Sequence, residues 1–262
     1  MSGPLQAWLV CGGRWHDFDY ARLELLKLLA ERPEIRTRVS SDYADTDTLA
    51  EADLLVTYTC DVRPELAQER ALLAYLERGG RWLALHGTNS VLEFLDDGRV
   101  STPRLHGELM AALGSRFLAH PPIGPFQVEN VQPGHPLVAG IEDFEVEDEL
   151  YLSELEPDIE VLLQTRFVGK APGFVAEEWP DDEPRPVLYL HRVGAGQVLY
   201  LTLGHCRGPF DMRPLIDVYP RTERCAWQHP TYTELLRRGI LWASGAANDR
   251  AARSEPKASE AQ

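Results

Sequence analysis

Two histidines in this chain stand where functional imidazoles usually stand. Arg81-Trp82-Leu83-Ala84-Leu85 is a short run rich in apolar residues that ends on His86 and then Gly87. A second run, Gln197 to Leu203, leads into Gly204 and His205. Imidazole changes charge near neutral pH, so it can serve as acid, base or metal ligand. A third stretch, Phe144-Glu145-Val146-Glu147-Asp148-Glu149-Leu150-Tyr151, is acidic. On a strand, Phe144, Val146 and Leu150 share one face with Asp148 among them, and Glu145, Glu147, Glu149 and Tyr151 share the other. A solvated face is the plain reading of such a run. An acid on a core face, however, must be paired or bound to something.

His86, Glu149 and His205 are therefore the expected catalytic set, with His16, His120, Asp148 and Tyr151 expected to line the mouth and bind substrate. Two imidazoles and a carboxylate can divide general acid and general base work. The same set could instead hold a zinc-like divalent metal with one position open. The wide sequence spacing does not decide between them. No nucleotide cofactor is expected, because Gly12-Gly13-Arg14-Trp15-His16 lacks the G-x-G-x-x-G spacing of a dinucleotide turn.

The elements needed to carry these residues are legible in order. Gln6 to Cys11 reads as a strand before the Gly12-Gly13 turn. A helix follows with Phe18, Leu25 and Leu29 on a wide apolar face, Asp17 or Asp19 as cap, and Pro33 as stop. Ile35 to Ser40 reads as an edge strand and Asp53 to Thr59 as a buried one ending at Cys60-Asp61. Pro64 opens a helix to Arg78, and the His86 strand follows. This alternation implies an α/β fold, flavodoxin-like and doubly wound, with a mostly parallel sheet and helices on both faces. In the strand order second, first, third, fourth, the ends carrying Gly12-Gly13, Cys60 and His86 lie side by side, where such sheets bind ligands.

Beyond Asn89 the reading is coarser: a helix from Leu105 to Leu113, a strand from Phe126 to Val131, a turn at His135-Pro136, and a strand from Ile159 to Thr165. Pro186 to Val193 and Gln197 to Leu203, joined by Gly194-Ala195-Gly196, form an added antiparallel hairpin. The segment from Gly169 to Asp182 is a mobile cover or a plain surface excursion. His229 to Ser244 closes the fold as a helix. Residues 1–245 are expected as one domain and 246–262 as a disordered tail.

The formal net charge of −15 argues against an electrostatic grip on nucleic acid or an anionic membrane. No apolar run would span a bilayer, and Met-Ser-Gly-Pro is not a signal-like start, so a cytoplasmic protein is expected. The cysteines Cys11, Cys60, Cys206 and Cys225 are far apart with no C-x-x-C pair, which suits a reduced compartment. Homo-oligomerisation is left open.

Six stretches of the chain together carry a family resemblance. Gly12-Gly13-x-x-His16-Asp17-Phe18, Leu85-His86-Gly87, His135-Pro136-Leu137 with Gly140, Asp148-Glu149-Leu150-Tyr151, the Gly194-x-Gly196-Gln197-Val198 hairpin into Leu203-Gly204-His205, and Arg238-Gly239-Ile240-Leu241-Trp242-Ala243 resemble the trehalose-utilisation (ThuA-like) proteins over about Ala7 to Ala243. That family is similar in fold to class I glutamine amidotransferases, which place a nucleophilic cysteine at a strand-to-helix elbow. Here the elbow reads His86-Gly87-Thr88 without cysteine, and Arg207 stands two residues beyond His205 where the amidotransferase glutamate would be. The resemblance thus implies a carbohydrate-processing protein without glutaminase activity, acting on a disaccharide or keto-sugar, with Trp15, Tyr58 and Tyr151 suited to sugar rings. The alternatives are a non-catalytic sugar-binding or regulatory protein and an amidotransferase-like hydrolase using another nucleophile, for which Thr88 or Ser90 would serve.

Overall fold

The computed structural model describes residues 3–254. The longer elements run β1 (Leu5–Gly13), α1 (Phe18–Ala30), β2 (Ile35–Ser40), α2 (Thr46–Glu51), β3 (Leu54–Cys60), α3 (Leu66–Glu77) and β4 (Arg81–Leu85). After a 3₁₀ turn at His86–Asn89 come α4 (Gly107–Leu113), β5 (Ser115–Ala119), β6 (Gly124–Asn130), β7 (Phe144–Asp148), β8 (Leu152–Leu155) and β9 (Glu160–Arg166). The hairpin β10 (Pro184–Val193) and β11 (Gly196–Leu201) precedes α5 (Pro230–Ser254). That last helix runs into the region expected to be a disordered tail, and residues 255–262 lie outside those described.

One nine-stranded sheet orders these as β2-β1-β3-β4-β11-β10-β9-β6-β7. The first five are parallel, in the flavodoxin-like order second, first, third, fourth, and the hairpin turns the remainder antiparallel. Register brings the functional ends level: Gly13 pairs with Cys60, Tyr58 with Leu85, and Leu85 with Leu201. The turns after β1, β3, β4 and β11 therefore open on one crevice, as the carboxyl ends of parallel strands do.

Two cores cover the two faces, and each explains its helices. Asp17 caps α1 by accepting from the Tyr20 N–H at 3.0 Å. The helix then buries Ala21, Leu25, Leu28 and Leu29 together with Leu235, Leu236 and Ile240 of α5. On the other face Leu49 of α2, Leu72 and Leu76 of α3 and Leu109 and Leu113 of α4 pack on Trp8 and Trp82. Both indoles are satisfied: Trp8 Nε1 donates to Ser40 Oγ at 2.9 Å and Trp82 Nε1 to Thr57 Oγ1 at 2.8 Å. β3 is buried along its whole length, as a strand covered on both faces must be. Three elements lie outside the sequence expectation: α2, β5 and β8. β5 and β8 are short and pair only with each other, and α2 has too few apolar residues to show a period.

At Gly12 the chain needs glycine for space, since a Cβ there would lie 2.2 Å from the Ser41 carbonyl oxygen. Gly12→Ala is expected to cost roughly 1–3 kcal/mol through this backbone overlap. Gly134→Ala, with nothing within 4 Å of the new carbon, should stay within about 0.5 kcal/mol of the parent. Urea titration of the two variants checks the pair; equal midpoints would contradict the close approach.

Candidate functional site

His86 follows β4 directly on a backbone bend with φ +44°, a left-handed conformation costly for a residue with a Cβ. It occupies the elbow itself, and Gly87 permits it: a Cβ on Gly87 would meet the Thr59 carbonyl oxygen at 2.6 Å. The imidazole is fully buried and Nδ1 lies 2.8 Å from the Thr202 carbonyl oxygen. A carbonyl only accepts, so Nδ1 carries a proton, and in the neutral ring Nε2 presents a lone pair. His16, from the turn after β1, is also buried, and its Nδ1 lies 3.3 Å from the Arg14 carbonyl oxygen. By the same reasoning its Nε2 is a lone pair, and it faces His86 Nε2 at 3.0 Å.

His205, fully buried after β11, places Nε2 at 3.0 Å from Glu223 Oε2. Its Nδ1 is 3.2 Å from Glu149 Oε1 but out of line for a hydrogen bond, and is left without a hydrogen-bond partner. Glu149 is the hub. Its Oε2 lies 3.4 Å from His86 Nε2, and its Oε1 lies 3.4 Å from His120 Nε2 and 3.7 Å from Arg207 Nη2. Ligand atoms of His16, His86, Glu149 and His205 all lie within 4.8 Å of one another.

Electrostatics follow from burial against charge. Burial alone would raise the Glu149 carboxyl, but His120, His205 and His86 hold it well below the usual carboxylate range. Burial pushes His205 down, and Glu149 and Glu223 more than offset this, holding it at about 9. His16 is driven well below the ordinary imidazole value, first by burial and then by its imidazole neighbours. Burial raises Cys60 strongly and Cys11 and Cys206 to about 12, so no thiolate is at hand at neutral pH.

The strand expected to carry Glu149 outward ends at Asp148, and Glu149 turns inward with it. Asp148 causes the turn. Its Oδ1 accepts from the N–H of Glu149 at 2.7 Å and of His205 at 3.0 Å, and its Oδ2 from Gly204 at 2.9 Å and Ala226 at 3.2 Å. Asp148 was expected at the mouth; it lies behind the site instead, 1% exposed, because backbone donors claim both oxygens. Tyr58 is likewise behind, its hydroxyl donating to the Gly204 carbonyl at 2.7 Å.

In front of the cluster is a cavity of about 140 Å³ with Trp15, Phe94, Phe117, Tyr151 and Phe174 on its walls. A second, polar cleft runs past Tyr219, Arg221 and Glu223, and His120, Glu149 and Arg207 border both. Phe174 comes from the segment left open as cover or excursion. That segment is tied down beside Phe174, where Val100 N–H donates to Gly173 O at 2.7 Å and Val175 N–H to Val100 O at 2.9 Å. Two groups escaped the sequence reading. Glu223 reaches His205 from eighteen positions away, and Phe174 reaches the cavity from an irregular loop. Thr88 is occupied by the Leu85 carbonyl at 2.8 Å, while Ser90 reaches the cavity wall.

The parallel sheet with its ligand crevice and strained elbow defines an α/β protein of the class I glutamine amidotransferase-like fold. Residues 9–218 match the family model ThuA, described as trehalose utilisation, and the chain belongs to that family. A protein described as ThuA-like from Bacteroides uniformis ATCC 8492 is 17% identical, with TM-score 0.65 over 93% of both chains. Another so described, from Parabacteroides merdae ATCC 43184, is 16% identical with TM-score 0.62, over 92% of this chain and 90% of that one. A GMP synthase component from Thermoplasma acidophilum, so described, is 14% identical with TM-score 0.50, over 97% of this chain and all of that one. No curated protein matches the chain. No helix among the described residues is long and apolar enough to cross a membrane.

Removing the Asp148 carboxylate should unfasten the site from behind. Asp148→Ala leaves the four N–H donors without it, and a loss on the order of 3–5 kcal/mol is expected. Chemical denaturation measures this; a loss under about 1 kcal/mol would show that the carboxylate does not hold these loops together.

Proposed function

We propose that the protein transforms a small carbohydrate, a disaccharide or keto-sugar, in the aromatic cavity in front of Glu149. The observation that carries this reading is a cavity of about 140 Å³ whose aromatic walls end on His120, Glu149 and Arg207. Sugar rings carry apolar C–H faces beside hydroxyls, so Trp15, Phe117 and Tyr151 suit one side of such a ligand and the charged floor the other. The family's description as trehalose utilisation agrees with this class of substrate.

The chemistry proposed is proton transfer next to a keto-sugar carbonyl. His86 and His205 are sealed from solvent, so their part is to hold the position and charge of Glu149. His120, with a quarter of its side chain exposed and Nε2 3.4 Å from Glu149 Oε1, is the imidazole able to meet both substrate and solvent. In this reading His120 takes the proton from the carbon beside the carbonyl, and the electron pair moves onto the carbonyl oxygen. Arg207 donates hydrogen bonds to that oxygen, and the proton returns from His120 to complete an isomerisation. Tyr151, whose phenol burial keeps protonated, positions a sugar hydroxyl.

Trehalose, related disaccharides and their 3-keto derivatives are the panel to test, with loss of α-hydrogen in heavy water followed by NMR. Turnover or exchange is expected with at least one keto-sugar. His120→Gln should lower kcat by about 10²–10⁴. Trp15→Ala and Phe117→Ala should mainly raise KM. Saturable sugar binding without exchange or turnover would make this a sugar-binding protein instead, and neither binding nor turnover would remove the carbohydrate reading.

A further inference from the structure

His16 Nε2 and His86 Nε2 are 3.0 Å apart, yet the Nδ1 atom of each faces a backbone carbonyl and must carry the ring proton. Two neutral imidazoles so fixed point lone pairs at each other, which is repulsive unless something positive lies between them. His205 adds a third nitrogen, from which an ion would displace a proton. With Nε2 turned to Glu223, its remaining nitrogen is Nδ1, which is fully buried, unpartnered and within the same cluster. We propose that His16 Nε2, His86 Nε2, His205 Nδ1 and one Glu149 oxygen bind a divalent transition-metal ion.

Donor type and spacing both fit. Imidazole and carboxylate together suit manganese, iron, cobalt, nickel or zinc rather than calcium or a thiolate-bound metal. With metal–nitrogen bonds of about 2.1 Å, a 3.0 Å nitrogen pair corresponds to roughly a right angle at the ion. Right angles are those of an octahedral site, and four protein ligands leave two positions for oxygens of water or substrate. The partners behind the ligands complete the case. Carbonyls of Arg14 and Thr202 and the carboxylate of Glu223 each take the far side of one imidazole, the arrangement that fixes tautomer and ring orientation in metal sites. The opening faces the aromatic cavity through Glu149, so the ion would lie beneath the proposed substrate site. The inference is independent of which sugar, if any, is turned over.

The test is metal binding by the whole protein without any carbohydrate. After dialysis against dipicolinate, the protein is titrated with Co(II), Mn(II) and Zn(II) alone, by calorimetry and by the visible spectrum of the Co(II) form. One equivalent per chain is expected, with elemental analysis giving the same stoichiometry after gel filtration and a raised Tm. Glu149→Gln and His16→Gln should abolish stoichiometric binding, with circular dichroism showing that each remains folded. Glu223→Gln should weaken affinity about 10–100-fold. His135→Ala, remote from the cluster, should bind as the parent does. Absence of binding tighter than millimolar for all three ions, or unchanged binding in a folded His16→Gln, would overturn the site and leave a shared proton between the rings. Stoichiometric metal in a protein inert toward sugars would support the site while removing the carbohydrate reading. Metal-independent sugar turnover with no stoichiometric ion bound would do the reverse.

Discussion

The buried Asp148 carboxylate is the interaction on which the site depends. A carboxylate cannot be sealed from water without compensation, and here four backbone N–H groups supply it. Those donors belong to three separate segments: the end of β7, the turn after β11, and the turn before α5. One side chain thus draws Glu149 inward, sets His205 and seats Ala226. Burial pushes the Asp148 carboxyl up, although His86, His205 and the backbone donors pull against it. The cost of burying this acid is offset only when all three segments are in place, so the site and the fold around it form together.

In front of Asp148, charge is concentrated in a small volume with little water. Glu149 has His86, His120, His205 and Arg207 around it, and Glu223 stands behind His205 and Arg207. His16, His86 and His205 are buried, and His120 at the edge keeps a quarter of its side chain exposed. Strained backbone gathers at the same rim: Trp15, Asp61, His86 and Cys225 all have positive φ. Such conformations persist where surrounding structure holds them, and the closely packed strand ends hold them here. The aromatic cavity adds a partly enclosed space directly over this charged floor.

How legible the site was depended on how local the signal was. His86 and His205 stood out because each follows a buried strand and touches glycine, and strand ends are where α/β folds bring groups together. Glu149 was named on the acidic run, but strand alternation placed it facing outward with Glu145 and Glu147. The alternation breaks at Asp148, which no periodicity reveals, because the cause is a set of partners more than fifty residues away. Glu223 is a stronger example. It lies in an irregular stretch with no apolar pattern, and only the packing of that stretch across Arg207 brings it to His205.

By itself, then, the sequence determined the order of the strands, the helices that cover them, the rim at which the histidines appear, and the family. These follow from local patterns of apolar residues, glycine and proline, which act over a few positions. Tertiary structure alone decided that His16 meets His86, that Asp148 turns its back on the cavity, and that Phe174 closes it. Such meetings depend on the register of strands and the seating of loops. Hydrogen-bonding demand of buried groups sets them, and that demand exists only once the chain has excluded water.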